Sequence, residues 1–261
     1  MRPIHIYLLP LLAILFTGCE QATATYKQQA SPPQPAQALP SPVEQFQKNS
    51  ASVIERYMRD HQTRKVQLGA GSSRLEGWLN TDIEPGDGLA YLDATKPFPF
   101  EDDSVHYIFS EHLIEHLTYD EGKAMMAEAY RVLAPGGKMR ISTPNLTRFI
   151  ELFDENPSED ARAYLVDKRK WHRWPDEPNA AAIILNLQMS SWGHKFMYDI
   201  ETLGASLQRV GFRNVREFEE NISTDEHLRN LEERDSGVNE RASDYETMSV
   251  EVEKPRAATT R

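Results

Sequence analysis

The stretch Val66-Gln67-Leu68-Gly69-Ala70-Gly71 joins a short apolar segment to two glycines that are one residue apart. Glycine adopts backbone conformations that other residues avoid, and it lets backbone amides come close to a ligand. In open α/β sheets, ligands bind beyond the carboxyl ends of the parallel strands. The stretch therefore predicts a strand followed by a ligand-binding turn, although a plain tight turn explains the glycine pair equally well on its own.

Further apolar segments predict the strands that accompany this one, at residues 78–83, 89–93, 105–110 and 138–142. Only six residues separate Gly71 from Trp78, whereas a parallel crossover normally needs a dozen or more. Two later strands are predicted at 215–219 and 247–252, and we expect the last one to be antiparallel. The sequence thus predicts a Rossmann-like α/β fold, a mostly parallel sheet flanked by helices with a shortened first crossover.

Helix signals lie between the predicted strands. Ser52 is the predicted N-cap of a first helix that ends near His61, and Thr118 with Glu121 forms a capping box before an apolar stripe. A further helix is predicted from Ile200 to Val210. The prolines of Lys96-Pro97-Phe98-Pro99-Phe100 exclude helix and central strand. The aromatic side chains of this loop are expected to fill the core, with the lining of a pocket as the alternative.

The amino-terminal residues indicate export. Arg2 precedes an apolar run at 6–16, which is shorter than a membrane span and typical of a signal-peptide core. The run leads into Phe16-Thr17-Gly18-Cys19, which resembles the lipobox of bacterial lipoproteins with Phe16 in place of the usual leucine. We therefore expect residues 1–18 to be removed and Cys19 to be lipidated, with an uncleaved anchor as the alternative.

The rest of the chain divides by composition. Residues 19–50 are rich in Gln, Ala, Pro and Ser and predict a disordered tether, because they offer little apolar surface to offset the entropy of ordering. Residues 51–255 form the predicted globular domain, followed by a tail at 256–261. Within the domain, 151–192 has no clear period and is predicted to be a partly helical insertion or lid. Trp171 and Trp174 are its expected buried anchors, with a substrate wall as the alternative. Residues 220–245 are polar and predict a long loop with helical turns.

The composition favours one folded domain and argues against one class of partner. The 261 residues include 29 basic and 40 acidic side chains, which give a formal net charge of -11. Sequence-independent nucleic-acid binding needs clustered lysine and arginine, so we expect no nucleic-acid partner. The length allows one sizeable core with extensions. The single cysteine excludes an intrachain disulfide and a zinc site built from cysteines.

Several motifs, taken in order, resemble one enzyme family. They are Leu-Gly-Ala-Gly at 68–71, Gly-Trp-Leu-Asn-Thr-Asp at 77–82, Asp-Ala at 93–94, Glu-His-Leu-Ile-Glu-His-Leu at 111–117, Glu-Ala-Tyr-Arg-Val-Leu-Ala-Pro-Gly-Gly at 128–137 and Gly-His-Lys-Phe-Met-Tyr-Asp at 193–199. Together they resemble the class I S-adenosylmethionine-dependent methyltransferases, close to an uncharacterised branch of the type 11 group. The resemblance covers nearly all of residues 52–255. His106 departs from the pattern, which usually has an aspartate there.

The resemblance implies S-adenosylmethionine as the cofactor and assigns residues to it. Gly69, Ala70 and Gly71 would pass under its methionine part. Asp82 would accept hydrogen bonds from the ribose hydroxyls, because a carboxylate at a strand end is a bidentate acceptor. Asp93 and Ala94 would meet the adenine edge. A capping or turn role is the alternative for both aspartates.

The same resemblance places Ser110, Glu111 and His112 around the opening at which the methyl group is donated. Because the reactivity of a sulfonium comes from the cofactor, a catalytic base is not obligatory. His112 is the candidate base if the acceptor is a hydroxyl, with His116 and His194 behind it. For His116 we favour a structural role.

A different enzyme class fits one motif. His112-Leu-Ile-Glu115-His116 also matches the inverted zinc-protease pattern His-x-x-Glu-His, in which two histidines ligate zinc and the glutamate activates water. The methyltransferases named above carry the same letters without metal, so we expect no metal, and zinc hydrolysis is the less favoured alternative.

Export raises a third hypothesis. S-adenosylmethionine is made in the cytoplasm, so an exported lipoprotein on the periplasmic face or cell envelope would meet little of it. The domain is then either an active methyltransferase for a small-molecule, lipid or saccharide acceptor, or a binding module that has lost catalysis. Gly69, Gly71, Asp82 and Asp93 favour the enzyme.

Overall fold

The structure is a computed structural model that describes residues 41–173, 180–232 and 244–256. The predicted signal segment, Cys19, most of the tether and Trp174 lie outside these residues. The helices and strands, in chain order, are α1 (Pro42–Asp60), β1 (Lys65–Leu68), β2 (Leu79–Asp82), β3 (Ala90–Tyr91), β4 (Val105–Glu111), α2 (Tyr119–Val132), β5 (Leu133–Pro144), α3 (Leu146–Glu151), α4 (Glu159–Trp171), α5 (Ala180–Ser190), α6 (Ile200–Val210), β6 (Arg213–Phe218) and β7 (Thr247–Glu253). Single 3-10 turns lie at Ile114–His116 and Glu226–Leu228.

The strands form one seven-stranded mixed sheet in the order β3-β2-β1-β4-β5-β7-β6. The pairs β1 with β2, β2 with β3, β1 with β4 and β4 with β5 are parallel. Strand β7 runs antiparallel to both β5 and β6. The predicted Rossmann-like α/β fold with an antiparallel last strand is confirmed.

The shortened first crossover is also confirmed. Strands β1 and β2 are parallel neighbours, with Val66 opposite Leu79, yet the chain between them forms only turns and irregular structure. This connection lacks the helix that a parallel crossover normally carries. One face of the sheet therefore loses a helix that would otherwise cover it.

Three helices cover the other face. Helices α1, α2 and α6 bury apolar side chains against alternate residues of the strands, as the two-residue period of a strand requires. The strand residues on this face include Val66, Leu68, Ile108, Met139, Ile141, Val250 and Val252, and the helix residues include Ile54, Tyr57, Met125, Met126, Ala129, Leu203 and Leu207. Phe98 and Phe100 are buried in the same cluster, so their predicted core-filling role is confirmed.

Residues 219–232, which we call the cover segment, lie over the second face. Leu228 and Leu231 pack against Trp78 and Phe109. The rest of this face is polar and buried, with Arg140 fully enclosed at its centre. Within the described part of the chain, the second face is thus covered by a segment whose regular structure is a single 3-10 turn.

A buried ionic network fixes the cover segment to the sheet. Arg140 Nε donates to Glu232 Oε1 at 2.6 Å, and Arg140 Nη1 donates to Glu251 Oε1 at 2.8 Å. Glu232 Oε1 also accepts from the hydroxyls of Ser142 at 2.6 Å and Ser249 at 3.1 Å. Hydrogen bonds of this kind offset the cost of burying the charges.

The first helix begins earlier than predicted. Its N-cap is Ser41, which forms a capping box with Glu44 and precedes Pro42 at the first helical position. The prediction of Ser52 as N-cap was wrong, because the proline-containing composition was read as tether where the proline in fact starts the helix. Residues 41–50, assigned to the tether, therefore belong to the cap and the first half of α1.

The insertion at 151–192 is helical, as predicted in part, and contains α4 and α5. Its buried anchors include Tyr164 and Ile184, which belong to one apolar cluster with Phe149 of α3. The prediction for Trp171 was wrong, since its side chain is about half exposed at the last position of α4. Periodicity did not mark the buried face, because α4 buries the polar residue Lys168 along with Tyr164.

Two smaller boundaries also differ. Helix α2 ends at Val132, and β5 already begins at Leu133, so Pro135-Gly136-Gly137 lies inside the strand as a pairing irregularity against β4. Strand β3 has only two residues. Among the helices of the described ranges, none has both the length and the apolar character that a membrane span requires.

Candidate functional site

The predicted cofactor residues lie at one edge of the sheet. Because β1 to β5 are parallel to one another, their carboxyl ends meet at the same edge. The glycine turn follows β1, Asp82 ends β2, Asp93 follows β3 by two residues, and His112 comes directly after β4. The topology therefore brings together residues that are up to 43 positions apart in the sequence.

The glycine turn contacts the end of β2 directly. Gly69 and Gly71 have φ angles of 64° and 55°, in the left-handed region that glycine favours. The Ala70 amide donates to the Thr81 carbonyl at 2.9 Å. The Gly71 amide donates to Asp82 Oδ2 at 2.8 Å. The turn and the carboxylate thus form one unit.

Asp82 keeps acceptor capacity beyond this contact. Its other oxygen, Oδ1, accepts from the amide of Glu84 at 2.9 Å. Each carboxylate oxygen offers about two lone-pair sites, so one remains on each oxygen. Asp82 therefore has the turn role that was the alternative from the sequence. It also keeps the capacity to accept hydrogen bonds from two hydroxyl groups.

Asp93 is held next to Asp82 through the backbone. The Leu92 amide donates to the Asp82 carbonyl at 3.0 Å. Asp93 Oδ1 accepts from both the amide of Thr95, at 2.8 Å, and its hydroxyl, at 2.7 Å. Asp93 therefore shapes the turn that buries Ala94.

The end of β4 lies beside the glycine turn. Ser110 pairs with Leu68, and Glu111 pairs with Ser142 of β5. Ser110 is fully buried, and its Oγ atom has no hydrogen-bond partner among the described residues. An added Cβ on Gly69 would lie 2.9 Å from Leu113 Cδ1, so the β4 turn packs directly on the glycine turn.

His112 has an uncommon backbone conformation. Its φ is 47°, in the left-handed region where a residue other than glycine is infrequent. The backbone amide donates to the Ser142 carbonyl at 2.8 Å and ties this conformation to β5. The turn aims the imidazole at Glu115, with Nδ1 2.9 Å from Glu115 Oε1.

The other imidazole nitrogen of His112 is enclosed and unpartnered. Nε2 is buried and has no hydrogen-bond partner in the described part of the chain. An orphaned buried nitrogen is costly unless something else uses it. Because Glu115 contacts Nδ1 and fixes the ring orientation, Nε2 is the ring nitrogen that has no partner within the described residues.

Glu115 is a fully buried carboxylate. Its Oε2 accepts from the Thr143 hydroxyl at 3.0 Å, while Oε1 faces His112. Burial raises its pKa, but the hydrogen bond and charge of His112, with a smaller contribution from His116, outweigh this effect and leave the pKa below its ordinary value. Glu115 is therefore charged at neutral pH.

His116 and His194 lie on the other side of this turn. Their rings meet edge to face with centroids 4.9 Å apart. Burial is the largest influence on the His116 pKa and holds it below its ordinary value. The segment 193–199 closes on Glu115, whose carbonyl accepts from the amides of Lys195 at 2.7 Å and Phe196 at 3.2 Å.

The inverted zinc-protease geometry is not formed. The helical part of this motif is one 3-10 turn, Ile114–His116, and His112 precedes it in a left-handed conformation. His112 and His116 are therefore not one turn apart on an α-helix. Glu115 Oε1 contacts His112 Nδ1 directly at 2.9 Å, so the water-activating role has no support from this arrangement.

His106, the departure from the family pattern, supports the strand. Its Nδ1 accepts from the Arg64 amide at 3.1 Å, and its own amide donates to the Arg64 carbonyl at 2.8 Å. Burial, helped by the charge of Arg64, lowers the pKa of the imidazole. His106 therefore lies at the amino end of β4, away from the carboxyl edge.

A cavity of about 490 Å³ opens beside the carboxyl end of β5. Its lining includes Asn145, Arg148, Glu151, Ile200 and Glu217. None of the predicted cofactor residues contributes to it. The cavity is thus separate from the glycine turn, although both lie toward the same edge.

Sequence reasoning missed the roles of two site residues. Glu115 was considered as a water activator, whereas it positions His112, and Thr143 was not considered as its second partner. The spacing of three between His112 and Glu115 was the available signal. The left-handed φ of His112, which brings the two side chains together, has no signature in the sequence.

Comparisons with known proteins support the expected resemblance to methyltransferases in part. A model described as a methyltransferase domain matches residues 80–141, which is less than half of the chain. The match includes Asp82, Asp93, the end of β4 and His112. It supports a methyltransferase domain with S-adenosylmethionine as its cofactor, and it does not identify an acceptor. No curated protein matches the chain.

Solved structures of similar fold share little sequence with this chain. An Archaeoglobus fulgidus SAM-dependent methyltransferase is 16% identical at a TM-score of 0.44, covering 80% of this chain and 94% of its own. A Thermotoga maritima SAM-dependent methyltransferase is 15% identical at a TM-score of 0.40, and the match covers 81% of this chain and 91% of that one. Phosphoethanolamine N-methyltransferase 2 of Haemonchus contortus, in complex with S-adenosyl-L-methionine, is 15% identical at a TM-score of 0.39. The match covers 80% of this chain and 53% of that one. We draw no functional conclusion from these likenesses.

Proposed function

We propose that this chain is an S-adenosylmethionine-dependent methyltransferase whose cofactor site is the carboxyl edge of β1, β2 and β3. The observation that carries the proposal is the 2.8 Å hydrogen bond from the Gly71 amide to Asp82 Oδ2. It joins a backbone turn that a ligand can approach to a carboxylate with free acceptor sites. The match to a methyltransferase domain supports the same conclusion.

The residues present fit such a cofactor. A Cβ added to Gly71 would meet nothing within 4 Å, so the turn faces open space. Asp82 retains one lone-pair site on each oxygen for the two ribose hydroxyls. Asp93, held beside Asp82, would face the adenine end. These residues would bind and orient the cofactor, while Ser110 and Glu111 form the floor and rim of the edge at β4.

Catalysis in this proposal depends on position and on one proton transfer. When bound, S-adenosylmethionine supplies an electrophilic methyl group on a sulfonium. His112 Nε2 accepts the proton that a hydroxyl acceptor loses as its oxygen becomes methylated. Glu115 holds the imidazole through Nδ1 and stabilises the charged ring that results. His112 is the catalytic residue of this proposal, and Glu115 is a positioning residue.

The acceptor and the location of the protein are part of the same proposal. The apolar run at 6–16 and Cys19 support export and lipidation, so we place the domain at the cell envelope, attached to the membrane through its amino terminus. A small molecule, lipid or saccharide of the envelope would then be the acceptor. Comparison of Cys19→Ser with the unchanged chain, by membrane fractionation and labelled fatty-acid incorporation, tests the attachment.

Calorimetric titration of the full chain with S-adenosylmethionine tests the enzyme proposal. We expect saturable binding near one equivalent, which Asp82→Asn weakens and Asp60→Asn leaves unchanged. Asp60 is a matched control because it lies at the exposed end of α1 and contacts Arg59. Absence of binding to the folded chain would overturn the proposal. Binding without methyl transfer to envelope extracts would favour the binding-module alternative.

A further inference from the structure

Three side chains beside the candidate base bring metal-ligand atoms together. Glu115, His116 and His194 each place one such atom within 4.8 Å of the other two. Two of them belong to the turn after β4, and His194 comes from the segment after α5. The hydrogen bonds from Lys195 and Phe196 to the Glu115 carbonyl hold the two segments against each other.

Both imidazoles of this cluster lie against the backbone, and His194 is hydrogen-bonded to it. His194 Nδ1 lies 2.5 Å from the Gln188 carbonyl oxygen. The His116 ring lies against the backbone of Gly193, the residue next to His194. When a histidine donates one ring N–H to a carbonyl, its other nitrogen carries a lone pair with a fixed direction. This second partner is typical of histidines that bind metal ions.

The third member is an anion enclosed without a permanent cation. Glu115 is 0% exposed, and its described partners are the His112 ring and the Thr143 hydroxyl. Across residues 41–173, 180–232 and 244–256, no lysine or arginine forms a salt bridge with it. A buried carboxylate is costly unless it is paired or coordinates a metal ion. Its oxygens have lone pairs beyond those that His112 and Thr143 use.

We infer that Glu115, His116 and His194 bind one divalent transition-metal ion such as Zn²⁺. Two imidazoles and one carboxylate form a ligand set that suits zinc and leaves a fourth position open. Tetrahedral zinc with bonds of about 2.0 to 2.2 Å places its ligands about 3.3 Å apart, so small ring rotations would close the cluster. The ion would offset the buried charge of Glu115.

This site differs from the zinc-protease alternative and goes beyond the proposed methyl transfer. His112 is not a ligand, and the glutamate coordinates the ion instead of activating water. Glu115 would lie between the ion and His112, so the ion would fasten the turn that presents the candidate base to the segment 193–199. S-adenosylmethionine binding at residues 69–71 and Asp82 does not depend on it.

Titration with Co²⁺ tests the inference, because tetrahedral cobalt absorbs visible light according to its ligands. The full chain, purified without a histidine tag and freed of metal with a chelator, should bind one equivalent and release it to Zn²⁺. His194→Ala and His116→Gln should each weaken binding at least about tenfold. His227→Ala is the matched control, since that histidine packs on Tyr107 away from the cluster.

The outcomes separate this site from the proposed function. Circular dichroism and thermal melting establish that each variant is folded, and the two histidine variants provide independent tests if one is unstable. No cobalt signal in the folded chain would overturn the inference, as would binding that His194→Ala and His116→Gln leave unchanged. Calorimetry with S-adenosylmethionine on His194→Ala should show unchanged affinity, so failure of the metal site leaves the cofactor site standing.

Discussion

Glu115 Oε1 lies 2.9 Å from His112 Nδ1, and both side chains are almost entirely enclosed. The contact exists because His112 adopts a left-handed backbone conformation that turns its side chain back over the 3-10 turn. This relationship fixes the ring and leaves Nε2 as its available nitrogen. It is the basis of the first prediction.

We expect His112→Ala to reduce methyl transfer about 10²- to 10⁴-fold, the usual contribution of a general base. Glu115→Gln should lower the rate constant of transfer while the affinity for S-adenosylmethionine stays unchanged, because its role is to orient the ring. The measurement is incorporation of a labelled methyl group into envelope extract, with calorimetry of cofactor binding on the same proteins. Equal rates for His112→Ala and His227→Ala would refute the assignment.

Removal of the Asp82 carboxylate should weaken cofactor binding by about 1 to 3 kcal/mol, the range for leaving polar partners unpaired. This corresponds to roughly a 5- to 150-fold rise in the dissociation constant. Asp82→Asn retains an acceptor for the Gly71 amide, whereas Asp82→Ala does not. The alanine variant should therefore also melt at a lower temperature, which differential scanning calorimetry would detect.

The two glycines of the turn should respond differently to alanine. Both have positive φ, so each substitution costs about 1 to 2 kcal/mol of folding stability. Gly69→Ala should cost more, because its Cβ would lie 2.9 Å from Leu113 Cδ1, whereas Gly71 faces open space. Gly71→Ala should chiefly obstruct the cofactor. Denaturant unfolding measures the folding stability of the two variants, and calorimetry measures their affinity for S-adenosylmethionine. Equal losses of stability and equal losses of affinity in both variants would contradict this prediction.

Arg140→Met should destabilise the fold by about 3 to 5 kcal/mol, because it leaves two carboxylates buried without their cation. The pKa of Glu232 lies below its ordinary value, since the hydrogen bond and charge of Arg140 overcome the opposing effect of burial. The exposed pair of Arg59 with Asp60 provides the comparison, and Arg59→Met should have little effect on stability because solvent screens this pair. Urea unfolding measures both.

Glu220 should make the folded state less stable as the pH rises, whereas Glu232 should make it more stable. Burial is the main cause that raises its pKa above 4.5, with further contributions from the charges of Asp244 and Glu232. Because the folded pKa is the higher one, this contribution to stability is fully present below pH 4.5 and is lost as the pH rises through the folded pKa.

Glu220→Gln should therefore raise the melting temperature at about pH 7 and have little effect near pH 4. Calorimetric melts of the variant and the unchanged chain across this range provide the measurement. Glu219→Gln, at the neighbouring exposed position, serves as the control. A stabilisation by Glu220→Gln that persisted undiminished at low pH would show that charge burial is not its cause.

The sequence predicted the sheet and its cofactor edge because both depend on local patterns. Apolar segments marked the strands, and Asp82 and Asp93 were visible at strand ends. The spacing from Gly71 to Trp78 was enough to predict a shortened first crossover, with either a lost helix or a tighter connection as its cause. What covers that face was not predictable, since Arg140 and its partner Glu232 are far apart in the sequence and share no periodic signal.

Other differences have local physical reasons. Ser41-Pro42-Val43-Glu44 carries a full helix-start signal, yet the prolines before it favoured a tether. Trp171 lies on the same side of α4 as Tyr164 and Lys168, but it is the last helical residue and about half of it is exposed. The contact of His116 with His194 joins two segments by tertiary packing, and only their shared resemblance to one family pointed to it.

The cover segment has a consequence for how the molecule is made. Strand β7 inserts between β5 and β6, and among the described residues the anionic partners of Arg140 are Glu232 and Glu251. A nascent polypeptide that stops after β6 would therefore expose a cationic patch and an incomplete sheet. Cooperative folding must wait until nearly the whole chain has left the ribosome, and carboxyl-terminal clipping should convert this domain into a substrate for proteolysis.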